Sequence, residues 1–135
     1  MSGGPVVSVE GARWRGAWLA LWALGWIVCV VLSLGPAVPG AVPLFPHADK
    51  LNHALAYAAL AWWAMGCFAT TSGRRWALLS LLVLGAAMEW AQGALTVDRQ
   101  RDGLDLVANA VGVGLGTALG LALNLPAWLE ARFRR

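Results

Sequence analysis

Long apolar runs alternate with short polar or proline-rich segments along the whole chain. Each run is close to the about 20 residues that an α-helix needs to cross a hydrocarbon core of about 30 Å. The pattern therefore predicts an all-α fold, a polytopic membrane protein with four transmembrane helices in a compact bundle. The predicted helices cover residues 16–35, 49–70, 76–95 and 103–125.

The composition agrees with this pattern. Of the 135 residues, 59% are hydrophobic and 13% are charged, and the mean hydropathy is +0.63. Such a chain is too apolar for an ordinary soluble domain. The segments between the predicted helices are too short for a second domain, so residues 1–135 are predicted to form a single membrane domain with short tails.

The basic residues sort by predicted membrane side. Seven of the ten lysines and arginines lie in the N-terminal tail, the second loop and the C-terminal tail, and three lie in the first and third loops. The positive-inside rule then predicts a multi-pass protein of the cytoplasmic membrane with both termini in the cytoplasm. Because the basic residues form no continuous stripe, nucleic acid is not an expected partner.

Several local signals predict where helices begin and end. Asp49 is expected to cap helix 2, and the segment TSGRR is expected to be a tight basic turn before helix 3. Helix 4 is expected to begin at Asp102 or Gly103 and to stop at Pro126. The four prolines between residues 35 and 49 exclude a regular helix there, and whether this loop gates a pocket is left open.

Two patterns at a spacing of four residues indicate how the helices pack. Ala108, Gly112, Gly116 and Gly120 form a ridge of small residues on helix 4 that lets another backbone approach closely. Four tryptophans share one face of helix 1, where the first two are expected at the membrane interface and the other two in packing. The four are Trp14, Trp18, Trp22 and Trp26.

Polar side chains occur at one end of three predicted helices, although each charged side chain in the middle of a membrane costs about 2.5 to 3.5 kcal/mol on insertion scales. Helix 2 begins, helix 3 ends and helix 4 begins on the same predicted side. We therefore expect these side chains to meet in a partly enclosed pocket in the outer half of the membrane. The candidate ligand-binding residues are Asp49, Lys50, His53, Tyr57, Glu89, Gln92, Arg99, Asp102, Asp105 and Asn109.

These residues form three motifs in order along the chain. They are DKxxHxxxY at 49–57, ExxQ at 89–92, and RxxDxxDxxxNxxGxxxG from Arg99 to Gly116. The arrangement resembles the VanZ-like family of small bacterial membrane proteins over about residues 16–123. That family is named for a member associated with glycopeptide antibiotic resistance. The resemblance implies a small membrane protein of the cell envelope, and it does not define a biochemical activity.

Three functions are compatible with the predicted pocket. The favoured one is binding of an anionic membrane lipid or lipid-linked cell-envelope precursor, with Lys50, His53 and Arg99 as cationic donors. A carrier mechanism would require a homo-oligomer, since four helices are few for a transporter. The second is catalysis, in which His53 and Glu89 or Asp105 act as an acid–base pair or bind a divalent metal ion. The third is a purely structural role. No nucleophile or nucleotide motif is present, so no catalytic residue and no cofactor is assigned.

Overall fold

A computed structural model of the chain describes residues 13–35, 46–95 and 102–133. All regular secondary structure in these residues is helical, which confirms the all-α prediction. The first four helices follow the four apolar runs, and a short fifth helix follows them. The helices are α1 (Arg15–Leu34), α2 (Ala48–Cys67), α3 (Thr71–Leu95), α4 (Gly103–Ala122) and α5 (Leu125–Phe133).

Three helical segments are long and apolar enough to cross a membrane: α1, α3, and the stretch Gly103–Phe133 that contains α4 and α5. The predicted fourth span, α2, has the required length of 20 residues but is not among them. Its first turns contain Asp49, Lys50 and His53, which lower its hydropathy. The bundle of helices is therefore as predicted, whereas α2 does not qualify as a span by its own composition.

α2 lies at the centre of the bundle and contacts each of the other four helices. Its buried residues include Tyr57, Leu60 and Ala61, which form the apolar core with residues of α3 and α4. By contrast, none of the residues of α1, all of which the structure describes, is buried. The helix with the most ionisable first turns thus supplies much of the core, although Leu51 and Leu55 on its other face are exposed.

The small residues of α4 bring its backbone directly against that of α2. A Cβ atom added at Gly112 would meet the carbonyl oxygen of Ala54, and one added at Gly116 would meet that of Ala58. At Gly114, on the neighbouring face, no described atom lies within 4 Å of the added Cβ position. The predicted ridge is therefore confirmed as the α2 contact, and only glycine fits at its two central positions.

The tryptophans of α1 hold that helix against α2. The indole Nε1 of Trp22 donates to the carbonyl oxygen of Leu60 at 3.0 Å, and that of Trp63 donates to the carbonyl oxygen of Trp18 at 3.1 Å. Trp18, expected at the interface, packs against Trp63 with ring centroids 5.6 Å apart. Trp14 alone remains half exposed, at 50%. α1 is therefore attached by indole N–H groups and by partly buried side chains, among which Trp22 and Trp26 pack against the apolar core as predicted.

Two predicted helix starts differ from the structure. The cap position of α2 is His47, at φ 65°, and Asp49 lies in the first turn, where it pairs with Lys50 at 3.1 Å. The segment TSGRR is not a turn, because α3 already begins at Thr71. The hydroxyl of Thr70 accepts a hydrogen bond from the backbone N–H of Gly73 at 3.0 Å, which caps the helix five residues earlier than predicted.

The end of α4 also differs from the prediction. The helix ends at Ala122, before Pro126, and Pro126 lies in the first turn of α5. The side chain of Asn124 accepts a hydrogen bond from the backbone N–H of Ala127 at 3.2 Å and so caps this new helix. Proline is tolerated in a first turn because its missing N–H has no intrahelical partner there. Pro126 therefore belongs to a helix start.

Candidate ligand-binding pocket

A cavity of about 870 Å³ opens at the end of the bundle where α2 and α4 begin and α1 and α3 end. Side chains from these four helices line it, as the antiparallel order of the chain requires. The convergence of polar residues predicted from the sequence is therefore confirmed for the described residues. Six of the predicted residues line the cavity: Asp49, His53, Tyr57, Gln92, Asp102 and Asp105.

Lys50 is the centre of an ion network that joins α2 to α4. Its ammonium Nζ lies 2.6 Å from Asp102 Oδ2, 2.9 Å from Asp105 Oδ1 and 3.1 Å from Asp49 Oδ2. An ammonium group has three N–H donors, so these three carboxylates use all of them. Lys50 therefore holds the two helix starts together and has no donor left for a ligand.

Asp102 has two structural roles at the start of α4. Its carboxylate accepts a hydrogen bond from the backbone N–H of Leu104 at 2.9 Å, which makes it the cap of α4. The ammonium of Lys50, followed by this backbone N–H, lowers the pKa of the Asp102 carboxyl group. Asp102 is therefore held as a carboxylate at the mouth of the cavity.

His53 lies between α2 and α4 in a fixed orientation. Its Nδ1 is 3.0 Å from Oδ1 of Asn109, a fully buried amide. Because an amide oxygen only accepts, Nδ1 carries the proton in this contact and Nε2 has a lone pair when the ring is neutral. Nε2 faces Oδ2 of Asp105 at 4.0 Å. Asn109 thus sets which nitrogen of His53 is available to the site.

The end of α3 supplies two buried polar side chains. Glu89 Oε2 accepts a hydrogen bond from the backbone N–H of Asp102 at 3.1 Å, whereas Glu89 Oε1 is buried with no hydrogen-bond partner among the described residues. Gln92 Nε2 donates to the carbonyl oxygen of Ser33 at 2.9 Å. α3 is therefore tied to α4 through Glu89 and to α1 through Gln92.

Two side chains of α2 present hydrogen-bond donors to the cavity. The hydroxyl of Tyr57 and the amide of Asn52 line it, and neither makes a hydrogen bond to a described residue. Tyr57 lines the cavity and is 3% exposed, so packing holds its side chain in place. These two neutral groups are available to an oxygen atom of a ligand.

The other predicted residues divide into two groups. Lys50, Glu89 and Asn109 do not line the cavity but bind residues that do. Arg99 lies outside the described residues, so its predicted role as a cationic donor stays a prediction. Residues 36–45, which make up most of the proline-rich segment, also lie outside them. The predicted residues therefore include six that line the cavity and three that bind lining residues.

Sequence reasoning missed part of the cavity wall. Cys29, Leu32 and Ser33 of α1 line the cavity, as does Asn52 of α2. Ser33 was detectable as a lone polar residue in an apolar run, and Asn52 lies within the motif that begins at Asp49. The positions of Cys29 and Leu32 had no signal, because an apolar residue of a membrane helix can face lipid, a neighbouring helix or a cavity.

A second polar contact, also missed, lies at the opposite end of the bundle. Glu130 of α5 is 5% exposed, and its Oε1 accepts hydrogen bonds from the backbone N–H of Trp14 and the indole N–H of Trp18, both at 2.9 Å. It therefore joins the end of the chain to the start of α1. Its distance from the cavity makes it a structural contact.

Comparisons with known proteins do not assign a family. No protein-family model matches the chain, and neither the curated proteins nor the solved structures include a significant match. The function must therefore be argued from the cavity and its charges.

Proposed function

We propose that the chain is a VanZ-like protein of the cytoplasmic membrane whose cavity binds the anionic head group of a membrane lipid or of a lipid-linked cell-envelope precursor. In this proposal α1 to α4 all cross the membrane, both termini are cytoplasmic, and the cavity opens in the outer half of the bilayer. The observation that carries the proposal is the polar cavity of about 870 Å³ at one end of an apolar bundle.

The size and surroundings of the cavity suit a lipid head group. Ligand pockets in proteins commonly have volumes of about 300 to 1,000 Å³. The helices around the cavity expose large apolar side chains, such as Leu32 at 68% and Val31 at 60% on α1. A lipid can therefore place its head group among polar residues while its chains remain against an apolar surface.

The donors of the cavity suit an oxygen-rich group. The Tyr57 hydroxyl and the Asn52 amide lack partners among the described residues and can donate to phosphate or carboxylate oxygens. α2 and α4 also point their N-termini at this end, where the helix dipole favours negative charge. Both features support an oxyanion as the bound group.

The charges of the site set a condition on this proposal. The site holds four carboxylates, those of Asp49, Glu89, Asp102 and Asp105, and Lys50 is already fully engaged by three of them. Glu89 makes no ion pair with a described residue. An anionic head group therefore requires further positive charge. Arg99 and Arg101 of the following loop are one source in the sequence, and a bound cation is another.

The resemblance supplies the biological setting of the proposal. A protein of this kind would act on, or shield, an envelope component whose abundance determines sensitivity to glycopeptide antibiotics. We expect that expressing the chain in a susceptible bacterium raises the minimal inhibitory concentration of a glycopeptide, and that the His53→Ala and Arg99→Ala variants do not raise it.

Lipid retention tests the binding proposal directly. Native mass spectrometry of the purified protein with added phosphatidylglycerol should show more bound lipid than with phosphatidylcholine. Tyr57→Phe removes one hydroxyl and keeps the ring, so binding should weaken by about 2- to 13-fold, the value of one hydrogen bond of about 0.5 to 1.5 kcal/mol. Thr117→Val removes a hydroxyl in the middle of α4 and is the matched control.

The outcome also separates binding from a structural role. If the polar cluster only joins helices, the wild-type protein binds phosphatidylglycerol and phosphatidylcholine equally. His53→Ala then loses antibiotic resistance only because the protein unfolds at a lower temperature. Under the binding proposal, the wild-type protein prefers phosphatidylglycerol, and His53→Ala loses this preference at a temperature at which it remains folded.

A further inference from the structure

Three side chains at the wall of the cavity converge on one point. A potential ligand atom from each of His53, Glu89 and Asp105 lies within 4.8 Å of those of the other two. Glu89 and Asp105 are buried at 8% and 7% exposure. The three come from α2, α3 and α4, so the point lies at the junction of three helices.

Each of these side chains is fixed through one polar atom and leaves the other free. His53 is held through Nδ1 by Asn109, Asp105 through Oδ1 by Lys50, and Glu89 through Oε2 by the backbone N–H of Asp102. The remaining atoms are a ring nitrogen and two carboxylate oxygens. All three are electron-pair donors, and Glu89 Oε1 is buried without a partner among the described residues.

The described part of the chain supplies no cation for these atoms. Lys50 uses its three N–H donors on Asp49, Asp102 and the other oxygen of Asp105. Two carboxylates next to each other in a buried position are strongly unfavourable unless a proton or a cation lies between them. A bound cation would satisfy Glu89 Oε1 and both negative charges together.

We propose that His53, Glu89 and Asp105 bind a divalent transition metal ion, with Zn²⁺ as the ion that suits them best. One imidazole nitrogen and two carboxylate oxygens are ligands that Zn²⁺ accepts at about 2.0 to 2.2 Å, which places ligand atoms about 3 to 4 Å apart. The observed spacing of at most 4.8 Å requires only small side-chain adjustments. Three protein ligands leave a coordination position open toward the cavity.

Asn109 is the positioning residue of this site. Metal-binding histidines usually give their second ring N–H to an acceptor, which fixes the tautomer and the ring orientation. The contact of 3.0 Å between His53 Nδ1 and Asn109 Oδ1 provides this arrangement. At the open coordination position the ion would hold a phosphate or carboxylate oxygen of the head group. This link between the metal site and the lipid rests on the proposed function.

Metal binding can be measured without any lipid. Protein purified in detergent, stripped with a chelator and titrated with Zn²⁺ should retain one ion per chain by elemental analysis after desalting, and Mg²⁺ should not compete at equal concentration. Co²⁺ in place of Zn²⁺ should give a visible absorption band of a low-coordinate site. A substoichiometric ion content of the wild-type protein overturns the proposal whatever the variants do.

The chain contains a matched control for two of the ligands. His53→Ala and Glu89→Gln should each lose the stoichiometric ion. His47→Asn, which changes the other histidine in the chain and suits its positive φ, and Glu130→Gln, which changes a buried glutamate at the opposite end, should keep it. Asn109→Ala should weaken Zn²⁺ binding by about 10- to 100-fold.

The results also separate this proposal from the lipid proposal. Retention of the ion by His53→Ala, or equal loss of it in His47→Asn, contradicts the metal site. Stoichiometric Zn²⁺ without selective binding of phosphatidylglycerol leaves the metal site standing and removes the lipid proposal. Selective lipid binding by a protein that retains no ion removes the metal site and leaves the lipid proposal standing.

Discussion

At the scale of single residues, polar side chains of the site bind each other across the helices through one atom and keep a second atom for other contacts. Lys50 satisfies three carboxylates at once, and Asn109 satisfies His53. In Asp105 the contact with Lys50 uses Oδ1 and leaves Oδ2, and in His53 the contact with Asn109 uses Nδ1 and leaves Nε2. A lysine that looked in the sequence like a ligand donor therefore connects two helices, and the neutral hydrogen-bond donors left for a ligand are those of Tyr57 and Asn52.

Glu130 provides a prediction at this scale. Glu130→Ala leaves the backbone N–H of Trp14 and the indole N–H of Trp18 without their acceptor, and a buried donor without a partner costs about 1 to 3 kcal/mol. We expect the free energy of unfolding to fall by about that amount, measured by thermal or denaturant unfolding in detergent. Glu130→Gln keeps an Oε1 acceptor and should recover most of the loss. Equal losses in the two variants would contradict this account of the contact.

Residue types predicted which polar side chains gather at the pocket better than they predicted which of them pair. The ionisable residues of α2, α3 and α4 could be identified because each is costly in a membrane and therefore needs a partner. Their pairing could not be predicted, since the choice of Asp102 and Asp105 as partners of Lys50 depends on the crossing of α2 and α4. Glu130 was missed because it lies next to the basic end of the chain, where an acidic residue looks like an ordinary surface residue.

At the scale of helices, the contact between α2 and α4 determines the geometry of the site. Backbone meets backbone at Gly112 and Gly116. This close approach places the first turns of the two helices side by side, within reach of the Lys50 contacts. The glycines of α4 and the ion pairs at its start therefore belong to the same interface with α2.

The glycines of α4 offer an internally controlled prediction. Gly116→Ala adds a methyl group against the backbone of Ala58, which cannot move aside as a side chain would, and overpacking of this kind costs about 1 to 3 kcal/mol. Gly114→Ala adds the same group where no described atom lies within 4 Å, and helix propensity there favours alanine by about 0.5 to 1 kcal/mol. Thermal unfolding in detergent should rank the melting temperatures Gly114→Ala, wild type and Gly116→Ala, from high to low. An unchanged Gly116→Ala protein would be inconsistent with the described contact.

Helix positions were predictable from hydropathy, and helix ends were less so. The apolar runs located the four long helices to within a few residues. The early start of α3 and the separate helix α5 depend on single hydrogen bonds, from Gly73 to Thr70 and from Ala127 to Asn124. Hydropathy contains no record of such bonds, and it treats Pro126 only as an interruption.

At the scale of the whole molecule, the chain has two different ends. The pocket end contains the carboxylates of α2, α3 and α4. At the opposite end, Trp14, Trp76 and Trp128 are at least half exposed, with exposures of 50%, 68% and 55%. Exposed tryptophans are typical of the membrane–water interface. The three residues are expected to mark the level of one interface.

The number of membrane crossings can be decided by the locations of the termini. Four crossings by α1 to α4 put both termini on the same side, whereas three crossings without α2 put them on opposite sides. We expect reporter fusions at the N-terminus and at the C-terminus both to show cytoplasmic activity. A cytoplasmic reporter at one terminus together with an external one at the other would exclude the four-span arrangement.

The composition of α2 explains why hydropathy alone gives three spans. Its polar side chains pair with α4 and face the cavity, so their cost is offset by other helices instead of by the residues of α2 itself. A sequence scale that treats each helix separately cannot include that compensation. The prediction of four spans counted α2 as one of four apolar runs of about 20 residues, and this is the part that the fusion experiment tests.

The absence of buried residues in α1 has a consequence for how a lipid would reach the cavity. α1 supplies Cys29, Leu32 and Ser33 to the cavity wall, yet its attachment relies on indole N–H groups and partly buried side chains. Unlike α2, α3 and α4, it contributes no buried residue to the bundle. Of the four walls, α1 is the easiest to displace, so we expect a lipid to arrive sideways from the bilayer, passing along α1, with its chains never leaving the membrane.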